Sequence, residues 1–183
     1  MPLEREIKLP FPGVPEARSA VLTTGATPRG ARRLQQDSLL DTDDGRLRGR
    51  GCALRLRRET GQVILTFKGP VEPSLAKLRE ELETPVQDAA ILERILHELG
   101  FGVWFRYEKY REEFAGRDVV IAIDETPIGV FVEIEGSEGG IRSTAAALGR
   151  TEADYVLHSY RRLFLDHCAH HHQPATDMLF VNG

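Results

Sequence analysis

The sequence lacks long apolar runs, has few cysteines and carries little net charge, and each of these absences excludes a class of protein. The 183-residue chain has no stretch of 18 or more apolar residues, so no membrane-spanning helix and no membrane partner are expected. Its two cysteines, Cys52 and Cys168, do not suit a disulfide framework and are typical of a reducing cytosol. The formal net charge of −4 gives no general indication of a nucleic-acid partner. We therefore expect a cytoplasmic protein in which an anionic ligand would be bound by locally clustered bases.

The composition and the apolar pattern indicate one folded domain. With 41% hydrophobic and 28% charged residues, the chain is long enough to bury a core. We predict a single domain over residues 1–172 and a flexible C-terminal tail over residues 173–183. Helical spacing of apolar residues predicts helices at 16–24, 88–99, 141–148 and 152–168. Strands are predicted at 3–9, 34–41, 53–58, 62–68, 78–84, 104–114, 118–125 and 129–135.

Charged side chains alternate with apolar ones along nearly every predicted strand. Successive side chains of a strand point to opposite faces, so this alternation gives each strand one apolar face and one ionic face. The ionic faces carry Glu4, Glu6, Lys8, Arg55, Arg57, Lys68, Arg79, Glu81, Glu83, Lys109, Arg111, Asp124, Glu133 and Glu135. Almost no Ser, Asn or Gln interrupts this set, so it differs from an ordinary solvated face.

Two interpretations of the ionic faces remain open. They form either the wet side of an open sheet, with charges paired across strands, or the lining of a closed lumen. Charges that face a confined space are costly unless they are paired or coordinate a ligand. We favour the second interpretation, because eight strands are enough for closure and the helices are sufficient to cover an apolar exterior. The predicted fold class is therefore α+β: an eight-stranded antiparallel closed β-barrel, or tunnel, with a polar lumen and helices packed outside.

A lumen that contains both acids and bases suits a particular chemistry. Clustered carboxylates bind hard divalent cations such as Mg²⁺ or Mn²⁺, whereas Arg and Lys bind phosphate oxygens. Together they predict a site for a metal complex of a triphosphate-containing small molecule. The Gly-x-x-x-x-Gly-Lys pattern of a P-loop is absent, so that kind of phosphate site is not indicated.

An ordered series of motifs resembles the CYTH superfamily of triphosphate tunnel metalloenzymes, which includes class IV adenylyl cyclases and thiamine triphosphatases. The series begins with Glu4-Arg5-Glu6-Ile7-Lys8, which is similar to the ExExK signature of that superfamily. It continues through Asp37-x-x-x-Asp41-Thr42, Leu54-Arg55-Leu56-Arg57, Leu65-Thr66-Phe67-Lys68-Gly69-Pro70, Arg79-Glu80-Glu81-x-Glu83, Tyr107-Glu108-Lys109-Tyr110-Arg111, Ile123-Asp124-Glu125-Thr126-Pro127-Ile128-Gly129, Phe131-Val132-Glu133-Ile134-Glu135-Gly136 and Ser159-Tyr160.

The resemblance implies a tunnel that is open at both ends and a role for each charged residue. It implies that Glu4, Glu6, Asp124, Glu133 and Glu135 bind the metal ion. It implies that Lys8, Arg55, Arg57, Lys68, Arg79, Lys109 and Arg111 bind the triphosphate, with Lys8 and Lys68 as catalytic residues. Glu81 and Glu83 are expected to line the tunnel as well.

One position departs from the family pattern. Triphosphatases of the family often carry a Tyr in the second strand, near the lysine that activates water, and Leu39 stands there in this sequence. Activation of water by a Tyr–Lys pair is therefore not expected, and a bound metal ion would take that role.

Three functions remain open. The first is a metal-dependent triphosphatase that acts on inorganic triphosphate or a nucleoside triphosphate, and we favour it. The second is a class IV adenylyl cyclase that converts ATP to cyclic AMP and pyrophosphate. The third is a non-catalytic polyphosphate- or nucleotide-binding module, and a homodimer is compatible with any of them.

Two further features receive structural interpretations. The histidine-rich run from His167 to His172 has no common zinc-site spacing, and we interpret it as a solvated segment rather than a metal site. Trp104 and Phe105 are interpreted as packing residues rather than as a surface on which bases stack.

Overall fold

The computed structural model describes residues 3–181 and confirms a closed β-barrel. Its nine strands are β1 (Leu3–Phe11), β2 (Thr27–Pro28), β3 (Arg33–Thr42), β4 (Ala53–Glu59), β5 (Gln62–Lys68), β6 (Lys77–Val86), β7 (Phe101–Gly116), β8 (Val119–Thr126) and β9 (Gly129–Gly136). The α-helices are α1 (Val14–Thr23), α2 (Ala89–Glu98), α3 (Glu138–Ala147) and α4 (Tyr160–His170). Two 3₁₀ segments lie at Arg48–Arg50 and Glu152–Asp154.

The barrel is closed because β7 is long enough to pair with two neighbours. The order of paired strands is β7, β3, β4, β5, β6, β1, β9 and β8, and β8 pairs back onto β7. β7 pairs with β3 over its first two thirds and with β8 from Tyr110 to Gly116. All pairings between these eight strands are antiparallel. The two-residue β2 adds to the outer end of β7 and was absent from the sequence prediction.

The apolar faces of the strands point outward and are covered by helices, as the alternation predicts. Ile7, Leu9 and Phe114 are fully buried in the main cluster, beneath Val21 of α1 and Ile141 of α3. A second outer cluster lies under α2, where Leu96 packs with Leu40 and Leu56. Burial of each such side chain contributes about 1.5–3 kcal/mol of transfer free energy, so these clusters hold the helices onto the barrel.

Each helix begins at a sequence signal, and in three of them a side chain accepts a hydrogen bond from a backbone donor of the first turn. The side chains of Asp88, Ser137 and Ser159 accept hydrogen bonds from backbone N–H groups in the first turns of α2, α3 and α4. In α1, a proline occupies the first turn, where its missing N–H costs nothing. The region predicted as one helix over 152–168 differs from this prediction, since it is divided into a 3₁₀ turn, an extended bridge at Val156 and α4.

The strands diverge at one end of the barrel, and chain segments from outside the barrel fill the gaps. β6 pairs with β1 only as far as Glu6, and beyond that point Lys8 exchanges two backbone hydrogen bonds with Val156, at 3.0 and 2.9 Å. β7 has a similar gap, where Met178 bonds to the backbone of Arg106 and Glu108.

The segment predicted as a flexible tail is therefore attached in part. Met178 is fully buried, and its neighbour Leu179 is 41% exposed. The physical reason is that the backbone groups of β7 are left without a strand partner here and an apolar side chain fits beneath them. Asn182 and Gly183, at the end of the predicted tail, lie outside the described residues.

α4 packs across the same end of the barrel and narrows it. Its residues Tyr160 and Phe164 contact Phe131 and Phe105, with ring centroids 5.6 and 6.0 Å apart. These two strand residues lie on the inward face, so the contacts fill part of the lumen. The expected tunnel with two open ends is thus restricted at this end by an aromatic cluster.

No helix among residues 3–181 has the length and apolar character needed to cross a bilayer.

Replacement of Met178 by Ala tests the docking of the C-terminal segment. We expect the free energy of unfolding to fall by about 2–4 kcal/mol, because a fully buried side chain leaves a cavity. Chemical denaturation measures this change, and Leu179→Ala, at the adjacent exposed position, is the matched control. Equal and small effects of the two substitutions would mean that the segment is detached in solution.

Candidate functional site

The inward faces of the strands enclose one continuous cavity of about 1190 Å³. Among the charged side chains that line it are Glu4, Glu6, Lys8, Arg55, Arg57, Lys68, Lys77, Arg79, Glu81, Glu83, Lys109, Arg111, Glu133 and Glu135. Thirteen of the fourteen predicted inward charges are thus brought to a common space, and Asp124 is the exception. The lumen interpretation is confirmed over the open-sheet interpretation.

Strand register concentrates acids at the junction of β1 and β9. Glu6 lies directly opposite Glu135, and Lys8 lies directly opposite Glu133. Like charges in directly opposed positions are unfavourable in a sheet, so the Glu6–Glu135 pair costs stability unless a cation lies nearby. Glu4, two residues before Glu6 on the same face, extends the acidic group.

Lysines neutralise most of this acidic corner. The Lys8 ammonium lies 2.8 Å from a Glu6 oxygen and 3.1 Å from a Glu133 oxygen. Lys77 lies 2.5 Å from the same Glu6 oxygen that Lys8 contacts. Lys68 binds Glu4 and Glu81, each at 2.7 Å. Glu135 is the member whose side chain makes no ion pair or hydrogen bond with another residue of the described chain.

The opposite wall of the cavity is formed by paired arginines. Arg57 lies 2.8 Å from Asp37 and Arg55 lies 3.2 Å from Glu83. Both arginines are buried, with about 8% of their surface exposed. Because guanidinium groups present several donors in one plane, they have further N–H groups available for phosphate oxygens.

Asp124 binds two further bases, Lys109 and Arg111, on the side away from the cavity. Its carboxylate is fully buried and accepts bonds from Lys109 at 2.8 Å, from Arg111 at 2.7 and 2.6 Å, and from the Tyr160 hydroxyl at 2.6 Å. Such a saturated carboxylate orients its donors. As placed, its oxygens are enclosed by three donors and it is not among the residues that line the cavity, so its role as a metal ligand stays a prediction.

The charges of the site shift several pKa values. Burial raises the pKa of Glu135 to about 7, and Glu4, Glu133 and Glu6 add repulsion, although the residue remains open to solvent at the cavity surface. Burial and the neighbouring Arg111 lower the pKa of Lys109 to about 8. For Lys8, burial is outweighed by Glu133 and Glu6, which hold its pKa above the usual range, so it stays a cation.

The carboxylates of the acidic corner are suitable ligands for a hard divalent cation, but in this structure most of them are paired with basic side chains. Carboxylate oxygens are the ligands such ions prefer, and the repulsion around Glu135 is what a cation would relieve. As placed, no three His, Cys, Asp or Glu side chains within residues 3–181 are grouped closely enough to hold a metal ion. The reason is that Glu4, Glu6 and Glu133 each turn toward a lysine or arginine. If an ion binds here, Glu4, Glu6, Glu133 and Glu135 are the residues to hold it.

Three residues of the site were missed or left without a role by the sequence prediction. Lys77 was outside the predicted strand 78–84. If that strand had been predicted to start one residue earlier, the alternation that places Arg79 and Glu81 on the inward face would have placed Lys77 there too. Tyr107 belongs to one of the family motifs but had no predicted role. In the structure it lines the cavity beside Arg55 and Asp37. Tyr160 was also quoted without a role, and its ring lies 5.2 Å from the Lys8 ammonium and 4.9 Å from that of Lys109.

The predicted departure at Leu39 is present in the structure. Leu39 lines the cavity opposite Arg55 of β4 and Phe105 of β7. It supplies no hydroxyl group at that place.

Residues 2–160 match the model of the CYTH domain. The chain belongs to the CYTH domain family. "Putative adenylate cyclase MJ0240" of Methanocaldococcus jannaschii is 33% identical over 107 residues, which cover 58% of this chain and 61% of that protein. The chain therefore spans less than two thirds of the length of this curated relative.

Solved structures share the fold of this CYTH domain. A "putative adenylate cyclase" from Vibrio parahaemolyticus has a TM-score of 0.74 at 20% identity, with 88% of this chain and 97% of that chain covered. A "putative adenylyl cyclase" from Hippeastrum, described as revealing a dominant triphosphatase activity, has a TM-score of 0.62 at 18% identity, with 91% and 96% covered. At these identities the likeness shows the tunnel fold alone.

The unpaired Glu135 predicts a pH-dependent penalty on stability. Because its folded pKa of about 7 exceeds the ordinary value of 4.5, the folded chain binds a proton in that window and its stability falls as pH rises through it. We expect Glu135→Gln to raise the free energy of unfolding by about 1 kcal/mol at pH 8, a figure reduced for solvent screening, and to change it little at pH 4.5.

Chemical denaturation at both pH values measures this difference. Glu138→Gln is the control, since Glu138 pairs with Arg142 on the exposed face of α3. The same effect of Glu135→Gln at pH 4.5 and pH 8 would contradict the argument.

Proposed function

We propose that this CYTH domain is a metal-dependent triphosphatase that hydrolyses inorganic triphosphate or a nucleoside triphosphate in its tunnel. Members of the family include triphosphatases and adenylate cyclases, which supports an enzyme. The observation that carries the proposal is the convergence of eight buried or half-buried bases and a cluster of acids on one cavity. One wall suits phosphate oxygens, and the other suits a Mg²⁺ or Mn²⁺ ion.

Binding would proceed by an exchange of ionic partners. Buried bases such as Lys68, Arg55 and Lys8 are held in place within the cavity by carboxylates. Phosphate oxygens would replace those carboxylates as acceptors, and the released Glu4, Glu6 and Glu133 would become available to a cation. The charge of the lumen stays balanced during this exchange, so a metal–triphosphate complex fits where a bare triphosphate would leave the acids unpaired.

The chemistry requires positioning and charge neutralisation more than covalent help. A bound divalent ion would supply activation of the attacking water and would neutralise phosphate charge. Lys8 stays protonated, so it would act as a fixed cation on the phosphates rather than as a base. Lys68 on β5 is proposed for the same role, 2.7 Å from both Glu4 and Glu81. Asp124 would position Lys109 and Arg111 toward the substrate.

Substitutions in the acidic corner and substitutions of the bases should change different kinetic parameters. We expect Glu135→Gln to weaken the apparent affinity for Mg²⁺ about 10–100-fold, the range seen when the shell around a metal is disturbed. We expect Arg57→Lys to raise the KM for the triphosphate, since the planar set of phosphate donors is lost while a positive charge remains beside Asp37. Glu125→Gln is the control, because Glu125 follows Asp124 on β8 but pairs with Arg32 outside the cavity.

Orthophosphate release from tripolyphosphate and from ATP, with Mg²⁺ or Mn²⁺ titrated, measures both effects. We prefer Glu135 to Glu133 for this test. Removing Glu133 would leave the buried Lys8 and Arg111 short of a partner, which costs stability. Absence of phosphate release from every triphosphate at every metal concentration would refute the proposal.

A second function is favoured by the names of relatives. The Methanocaldococcus relative carries the name of an adenylate cyclase, and the same lumen would hold the triphosphate of ATP for attack by the ribose 3′-hydroxyl. Separation of the products of an ATP reaction by chromatography distinguishes the two. ADP and phosphate support hydrolysis, whereas cyclic AMP and pyrophosphate support the cyclase.

A further inference from the structure

Two arginines lie against the single tryptophan of the chain at the narrowed end of the cavity. The guanidinium carbons of Arg48 and Arg161 are 4.2 and 4.4 Å from the centroid of the Trp104 ring. Arg48 is neutralised by Asp41, 3.1 Å away. Arg161 pairs with no carboxylate of the described chain, and its Nε atom is buried without a hydrogen-bond partner there. A buried donor without an acceptor is unfavourable, so this guanidinium is arranged for something other than packing.

An irregularity of the sheet directs Trp104 into this position. The register of β3 against β7 shifts between Leu39 and Leu40, which pair with Phe105 and Val103 and leave Trp104 as an extra residue. Such bulges re-aim a side chain and are common beside active sites. By simple alternation from Tyr107 and Lys109, Trp104 would face outward, yet it lines the main cavity.

A second, smaller cavity of about 300 Å³ adjoins the tunnel at the same side chains. Trp104 and Arg161 line both cavities. The smaller one is otherwise lined mainly by Phe105, Leu165 and Ala175, with Thr176 and Asp177 as its other polar residues. A cavity with aromatic and aliphatic walls and a few convergent polar groups is typical of a site for a small organic group.

We propose that this corner, Arg48–Trp104–Arg161 with the smaller cavity, binds the nucleoside of a nucleoside triphosphate whose phosphates occupy the tunnel. The inference rests on the proposed triphosphate site and specifies the class of its substrate. Guanidinium planes and indole rings are surfaces on which bases stack, and the Arg161 donor has an acceptor to gain from a base or ribose.

The lining distinguishes a nucleoside from a longer phosphate chain. A fourth and fifth phosphate would need several unpaired bases, whereas Arg161 is the one base among the described residues that line the smaller cavity, and the Asp177 carboxylate lines it as well. A carboxylate repels phosphate and accepts hydrogen bonds from amino or hydroxyl groups. Nucleosides carry such groups, so they fit the corner better.

The fluorescence of Trp104 reports directly on this corner, because the chain contains no other tryptophan. We expect ATP with Mg²⁺ to change the emission in a saturable way and tripolyphosphate with Mg²⁺ to change it little. Arg161→Ala should weaken ATP binding about tenfold, the loss typical of one stacking or cation–π contact, and leave tripolyphosphate binding within twofold. Arg161→Lys keeps the charge but loses the planar group, so it should behave like Arg161→Ala.

Arg142→Ala is the matched control, because Arg142 pairs with Glu138 and Glu152 on the exposed side of α3 and lines neither cavity. Thermal unfolding of each variant establishes that it is folded. Equal weakening of ATP and tripolyphosphate by Arg161→Ala, or a larger effect on a linear polyphosphate longer than three units, would overturn the nucleoside assignment in favour of a phosphate subsite. Absence of any emission change with ATP would also overturn it. If emission responds to ATP but no phosphate is released, hydrolysis fails and the nucleoside site stands.

Discussion

Pairing of inward charges is the constraint on which the whole structure depends. A barrel that turns its ionic faces inward places more than a dozen formal charges in one cavity, and each must find an opposite charge or solvent. The strand register meets this need by setting acids beside bases, as in Lys8 opposite Glu133 and Glu4 opposite Arg79. The pairing explains how the lumen remains stable, and it also keeps the bases charged and separated for a ligand.

The same constraint explains where the pairing is incomplete. Glu6 faces Glu135, and two lysines share Glu6 while none reaches Glu135. Arg161 is the basic counterpart, since it lies in contact with aromatic rings rather than with an acid. Glu135 and Arg161 both border the cavity. Each lowers the stability of the folded chain, and each leaves a charged group available to a ligand. Natural sites commonly hold such uncompensated groups where binding occurs.

The sequence was sufficient for the barrel because alternation is a strong local signal. Glu4, Glu6 and Lys8 on one face of β1 could be read without knowledge of any partner strand, and the eight barrel strands follow from the same rule. The family resemblance then implied a tunnel and a ligand class. Lys77 was missed only because the start of β6 was placed one residue late.

The remaining features depend on contacts that are distant in sequence. The position of Trp104 follows from a register shift against Leu39 and Leu40, and alternation alone gives the wrong face. The burial of Met178 follows from a gap in β7 pairing some 70 residues earlier. The enclosure of Asp124 depends on Tyr160 from a helix that sequence analysis placed without a target. Local sequence patterns contain no information on such contacts between residues that are distant in sequence.

The gap along β7 gives the C-terminal segment a protective role. An unpaired row of backbone N–H and C=O groups on a strand is a template for another chain, and aggregation often starts at such rows. Met178 occupies the row beside Arg106 and Glu108, as Val156 does beside Lys8. A chain shortened before residue 177 would keep its charged lumen but would present β7 to its neighbours, so self-association rather than loss of the ionic site would be the first consequence.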